Sequence, residues 1–486
     1  MKKYILLFLA ASFMLSCSND DDGIQNPNTN PPIIADFPTQ DFMWKAMNLW
    51  YFWQAEVPDL ADTKDDDAEA YAAFLAATPD PDDFYNSIQF SEDRFSFANE
   101  DYTALVNNLV GISKSNGLEF GLVRFADSND LFGYVRYIIA GSDADTKDIE
   151  RGDLFTEIDG QTLNLDNYIE LLFGDNDTYT LGLATIENNT VTPTGEEVTL
   201  TKMEGLEENP ILVAKTLDVD GIKVAYLMYN GFNRNFNVEL NDAFAQFVAD
   251  GCTELVLDMR YNPGGSVNTS RLLASMVYGT NTNDLYIRQR WNDKIQSQFS
   301  AAQLEDYFAT EVSSGVPLNS LNLDKVYVLA TNSSASASEL VMNGLAPYID
   351  VIHIGETTRG KNEFSITMVD DPENSFIYDA ARENQINPNN SWAIQPLVGR
   401  NENADGFFDY TNGLAPDIEL QEDLANLGVL GEEDEPLLAR ALQEIGAASA
   451  KFSFEVQMPA KMFTSSKMFT PIKDNMYLDN PPVGFK

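Results

Sequence analysis

Residues 331–361 read TNSSASASELVMNGLAPYIDVIHIGETTRGK. Ser333, Ser334, Ser336 and Ser338 crowd around the small residues Ala335 and Ala337. A helical run follows over 337–348, then an apolar β-type run over 350–355, then Gly360-Lys361. Residues 324–330, just upstream, read as a strand, so the stretch is strand, serine-rich turn, helix, strand. The same alternation precedes it. Residues 221–228 (GIKVAYLM) form a strand. Leu240, Phe244, Phe247 and Val248 give one apolar helix face that Gly251 closes, and residues 254–259 form a buried strand. Residues 260–265 (RYNPGG) turn at that strand's carboxyl end, and Ser266 opens a helix carrying Leu272, Leu273, Met276 and Val277. Strands alternating with helices predict an α/β core with mostly parallel strands. The serine turn and the glycine turn then both lie at carboxyl ends of strands, where open α/β sheets place their sites.

Cleavage of an amide or ester through an acyl-enzyme needs a nucleophile, a base and donors for the oxyanion. Ser336 stands between two alanines at a helix start, where small neighbours admit a substrate backbone and the helix N-terminus favours developing negative charge. The Ala337 N–H points to the same place, and Gly264-Gly265 offers a second donor unobstructed by a side chain. The single histidine, His353, lies in the strand-like run Val351-Ile352-His353-Ile354 and reads as a core imidazole rather than a base. That leaves Lys361, 25 residues after Ser336. An ordinary lysine is neutral in only about one molecule in 2,500 at pH 7. Burial lowers its pKa by up to about 3–5 units, and Arg359 would push the same way if close. On the residues alone, the alternative stays open that the serines only cap a helix and the lysine only faces solvent.

Charge and cysteines narrow the field. With 30 Lys+Arg against 76 Asp+Glu the net charge is −46, which repels phosphate backbones and argues against a nucleic-acid partner. Apolar content of 44% is enough for real cores. The two cysteines, Cys17 and Cys252, make no disulfide framework, and one histidine makes no zinc cluster. Residues 143–148 lack the sixth-position glycine of a calcium loop, and there is no phosphate-binding loop. No metal or cofactor is expected.

The chain begins with Lys2-Lys3, an apolar run over 4–15, and Ser16-Cys17, the pattern of an export signal too short to span a membrane. Residues 17–38, rich in Asn and Pro, read as a tether. Met43, Met47 and Trp50 fall at helical spacing in a small helical domain over 39–105, and its aromatic stripe reads as core rather than ligand platform. Short strands with turn residues fill 106–205, the α/β region fills 206–446 with a last helix over Pro436–Ile445, and residues 447–486 read as an irregular extension.

Four resemblances add to this reading. The apolar–Ser–Cys ending resembles a bacterial lipoprotein box with Cys17 as the lipidated residue; ordinary signal-peptidase cleavage is the alternative. The following Ser-Asn-Asp-Asp-Asp resembles the surface-export signal of Bacteroidetes lipoproteins, which implies the cell envelope, at the outer membrane and surface-exposed. The order GLEFGL (117–122), YVRYII (134–139) and RGDLFTEIDG (151–160) resembles a bacterial protease PDZ domain. That resemblance makes Leu118, Glu119, Phe120 and Gly121 a peptide-capturing turn; a structural β-domain with an unused groove is the alternative. SASASE (334–339), Lys361 and LDMRYNPGG (257–265) resemble the C-terminal processing (tail-specific) serine peptidases, over roughly residues 40–445. This implies a multidomain α+β protein: a helical domain, a PDZ-like domain and a peptidase core of the ClpP/crotonase-like type. It implies Ser336 as nucleophile, Lys361 as general base, and Ala337 with Gly264 or Gly265 as oxyanion donors. The substrate would be unfolded or extended polypeptide. Many relatives carry a Gln four residues after the lysine, where this chain has Ser365, a possible third member, with Glu363 nearby. An impaired peptidase that only binds peptides is the competing reading.

Overall fold

The computed structural model describes residues 32–187, 189–446, 454–479 and 481. The leader, Cys17 and most of the tether lie outside the described residues.

The N-terminal region holds helices Pro38–Trp50, Ala68–Ala77 and Pro81–Ser87. Proline opens the first and third, and the Asp67 and Asp80 carboxylates cap the second and third. The aromatic stripe is core: Phe42, Met43, Met47 and Trp50 are buried in one apolar cluster with the α/β region. Trp50 donates to the Ser375 carbonyl at 2.9 Å, fastening the two regions together.

The middle region is an antiparallel sheet of Leu118–Arg124, Leu131–Ile138, Leu154–Ile158, Thr178–Glu187 and Thr190–Thr201, with helix Tyr168–Phe173 against it. The expected turn at 118–121 is a strand instead. Its backbone pairs with Leu131–Ile138 on one side and Met462–Ser465 on the other. The turn falls one residue earlier, at Gly117 (φ +83°), where a Cβ would meet Ser142 at 2.1 Å.

The α/β core is a six-stranded sheet in the order Ile211–Val219, Ile222–Tyr229, Glu254–Asp258, Lys325–Ala330, Asp350–Gly355, Ile418–Glu419. The first pair is antiparallel and the rest are parallel. Side chains alternate across it. Ala225, Leu227, Leu255 and Val328 face helices Asn237–Asp250, Val267–Val277 and Ala337–Leu345. Val224, Tyr226, Val256 and Leu329 face Pro436–Ile445. Leu240, Phe244 and Phe247 are buried, each worth about 1.5–3 kcal/mol. Val248 is 47% exposed, because it turns off the face those three share.

A second six-stranded sheet runs Gly265–Ser266, Met476–Tyr477, Glu363–Ser365, Leu397–Glu402, Leu285–Trp291, Glu305–Tyr307. The extension expected to be irregular therefore supplies a strand to the edge of one sheet and another to the inside of a second. Both are short and gain their pairing from distant partners, so no local period announces them.

Candidate active site

Ser336 follows the strand Lys325–Ala330 and is the residue before helix Ala337–Leu345. Its backbone sits at φ +66°, ψ −113°, which an L-residue adopts only when its surroundings compel it. The compelling contacts are visible. Its N–H donates to Glu339 Oε2 at 2.7 Å, and the Ala335 N–H donates to the Asn262 carbonyl at 3.1 Å. Ser334 Oγ donates to the Met259 carbonyl at 2.7 Å, Ser338 Oγ to the Asn262 carbonyl at 3.0 Å, and Thr331 Oγ1 to the Arg260 carbonyl at 2.5 Å. Ser334 and Ser338 thus stitch the serine turn to the glycine turn. Ser336 Oγ is buried without a hydrogen-bond partner.

The glycine turn is built to match. Asn262 Nδ2 donates to the Tyr229 carbonyl at 2.8 Å, and its Oδ1 accepts the Gly264 N–H at 2.9 Å. Gly264 therefore has no free N–H, whereas Gly265 presents its own to the strand Met476–Tyr477 that pairs with it. Gly264 (φ +111°) must be glycine, since a Cβ there would lie 2.6 Å from Ser336 Cβ. Beneath the turn, Arg260 is wholly buried. It bonds Asp258 Oδ2 at 2.7 Å, Glu435 Oε1 at 2.6 Å and Glu422 Oε1 at 3.3 Å. Burial alone would raise the Glu422 carboxyl, but Arg151 and Arg260 hold it down to about 2.

Glu339 joins the two candidate catalytic residues. Besides the Ser336 N–H, its carboxylate accepts the Lys361 N–H at 2.9 Å, the Gly360 N–H at 2.6 Å and Thr358 Oγ1 at 2.5 Å. Burial pushes it up to about 7 against the pull of these donors.

Lys361 is buried, with its amine 5.0 Å from the centroid of the Phe95 ring. Burial lowers its pKa to about 8, against the opposing fields of Asp474, Glu363, Asp93 and Glu339. Arg359 is not the cause; its guanidinium pairs with Asp474 Oδ2 at 3.0 Å. Arg94 donates to the Gly360 carbonyl at 2.5 Å, so the N-terminal region walls this pocket. The Lys361 amine donates to the Asp474 carbonyl at 2.8 Å and to Asn475 Oδ1 at 3.2 Å, rather than to Ser336. Ser365 does not bond Lys361: its hydroxyl shares its one proton between Asn475 Oδ1 at 2.8 Å and the Met476 carbonyl at 3.0 Å. Burial also raises the Glu363 carboxyl. His353 stays in the sheet, its Nε2 3.3 Å from the Ala330 carbonyl, and burial lowers its pKa.

Leu118, Glu119, Phe120 and Gly121 lie on the strand that receives Met462–Ser465. Among the described residues no His/Cys/Asp/Glu group could hold a metal ion, and no helix is long and apolar enough to cross a membrane. Asp474, Asn475, Arg94 and Phe95 were missed by the sequence reading. They carry no motif and reach the site only by folding.

An α/β core that packs a strained serine against a glycine turn, and ties that serine to a buried lysine through Glu339, has the layout expected of a serine hydrolase. Comparison with known proteins sharpens the class. Residues 223–420 match the model of Peptidase family S41, and residues 39–97 match the Peptidase S41 N-terminal domain. The chain belongs to peptidase family S41, that of the C-terminal processing peptidases. It is 25% identical over 237 residues to a CtpA-like serine protease of Staphylococcus aureus, covering 47% of this chain and 41% of that protein. It thus spans less than half the length of those relatives. A carboxyl-terminal-processing protease of Picosynechococcus is 24% identical over 325 residues, 66% of this chain and 69% of the relative. A solved structure from Bacteroides fragilis assigned as an S41 protease superposes with a TM-score of 0.63 at 26% identity, covering 84% of this chain and 97% of the other.

Proposed function

We propose that this chain is a serine endopeptidase that cleaves unfolded or extended polypeptides, with Ser336 as nucleophile and Lys361 as general base. The observation that carries this reading is the Glu339 carboxylate, which clamps the backbone N–H groups of both residues in one buried pocket. Lys361, neutral, takes the Ser336 proton as Oγ attacks the scissile carbonyl. The N–H groups of Gly265 and Ala337 receive the oxyanion. The protonated amine then gives its proton to the leaving nitrogen, and water hydrolyses the ester with the roles reversed. The β-rich domain, PDZ-like in this reading, holds the polypeptide as an added strand.

With an amine pKa of about 8, roughly one Lys361 in eleven is neutral at pH 7. The base works deprotonated, so kcat/KM for an unfolded casein should rise about tenfold per pH unit below 8 and level off above it. Labelling of Ser336 by a fluorophosphonate should follow the same curve, and Lys361→Ala should abolish both. A profile unchanged in Lys361→Ala would remove the lysine from the mechanism. A folded chain whose Ser336 never labels at any pH, with residues 447–486 present or removed, would favour a peptide-binding homologue without catalysis.

The leader motivates a second proposal: lipidation at Cys17 places the enzyme in the cell envelope, on an outer-membrane lipid anchor and facing the surface. Palmitate should label the chain and vanish in Cys17→Ala, which should partition to the aqueous phase of a detergent split. An unlabelled parent chain would refute the anchor.

A further inference from the structure

Residues 462–478 lie where a peptide substrate would lie. Met462–Ser465 pairs antiparallel with Leu118–Arg124, with Ser465 opposite Gly121, adding a strand to the open edge of the β-rich domain. Ser466 Oγ then accepts the Phe120 N–H at 3.1 Å and donates to Glu119 Oε2 at 2.5 Å. Lys467 pairs with Glu208, and Phe469 stacks on Phe173 of the domain's helix with centroids 3.8 Å apart. The residues expected to capture a peptide therefore already hold one.

The same segment continues into the cleft. Arg359 holds Asp474, and the Asp474 carbonyl and Asn475 side chain occupy the Lys361 amine. Met476–Tyr477 enters between Gly265–Ser266 and Glu363–Ser365, parallel to both. The Gly264 carbonyl and Ser266 N–H are already bonded to Phe232, at 2.8 and 2.9 Å. The pairing of Gly265 with Met476 is therefore made through the Gly265 N–H and the Asn475 carbonyl. That carbonyl oxygen and Ser336 Oγ lie 2.8 and 3.1 Å from the point where a Gly264 Cβ would sit. The oxyanion donor is thus filled by a peptide carbonyl beside the serine, while the lysine is held away from it.

We infer that residues 462–478 are a built-in pseudosubstrate, occupying the peptide groove and the catalytic cleft together, and that polypeptide substrates gain access only when it leaves. The inference rests on the peptidase reading for its consequence, though the occupancy can be tested without catalysis. A fluorescein-labelled peptide of sequence 462–478 is titrated into a Ser336→Ala chain truncated after Gly446. Saturable binding is expected there, and at least tenfold weaker binding to the untruncated Ser336→Ala chain, whose groove is filled. No binding to the folded truncated chain overturns the inference. With Ser336 intact, truncation should raise casein turnover at least tenfold, and the free peptide should reverse the gain; equal turnover by the two chains overturns it. If circular dichroism shows the truncated chain unfolded, the full chain carrying Lys467→Glu and Phe469→Asp takes its place in both arms, with the same expectations. Peptide binding with no turnover by any chain would leave the occupancy standing and sink the peptidase reading instead.

Discussion

The Ser336→Ala chain is expected to cleave unfolded casein at least about 10⁴-fold more slowly than its parent, with an unchanged denaturation midpoint. The two halves of this expectation come from one fact. Ser336 Oγ is buried and makes no hydrogen bond, so its removal strands no partner and costs the fold little. The strained backbone at φ +66° is held by Glu339 and by the neighbours of Ser336, which the substitution leaves in place. A hydroxyl kept in a strained turn and bonded to nothing is poorly explained as structural. The measurement is a paired one: turnover, and the urea midpoint by fluorescence. Turnover within tenfold of the parent would eliminate Ser336 as nucleophile. A large loss of midpoint would show that the hydroxyl has structural partners.

The largest effect on stability is expected at Arg260. Replacing it with methionine should cost about 3–5 kcal/mol, because Asp258, Glu422 and Glu435 would remain buried without their common cation. The guanidinium also underlies the glycine turn, whose Arg260 carbonyl anchors Thr331 of the serine turn. Activity should therefore fall along with the urea midpoint. A loss below about 1 kcal/mol would mean that the carboxylates find other partners or water. The same network sets an acid limit for the parent. Glu422 titrates at about 2 when folded, below the ordinary glutamate value of about 4.3. Its contribution is complete above that ordinary value and is lost as pH falls towards 2.

The part of this molecule legible in its sequence is the part written locally. The core strands were readable because apolar runs alternate with helical faces, and burial on both sides of a parallel sheet demands such runs. Helix Pro436–Ile445 was placed at its observed bounds, with proline at its start and glycine past its end. Ser336 and the glycine turn stood out because small residues and glycines are required wherever backbones approach closely, whereas Lys361 was nominated by setting His353 aside and by the family resemblance. The strand at 118–121 was read as a turn from the PDZ resemblance, and nothing local corrected it, since its outer partner is supplied from more than 300 residues away.

Composition, period and the short motifs were enough to specify an α/β core and, with the family resemblance, to nominate Ser336, Lys361 and Gly264-Gly265. They did not specify the state of that site. That Glu339 bridges serine and lysine, that Gly264 gives its N–H to Asn262 while Gly265 pairs with Met476, and that burial rather than Arg359 lowers the lysine pKa all follow from folding. So does the position of Asn475 between Lys361 and Ser365. These are contacts between residues far apart in the chain. Each depends on desolvation and on which donors remain unpaired, quantities that exist only once the segments have packed.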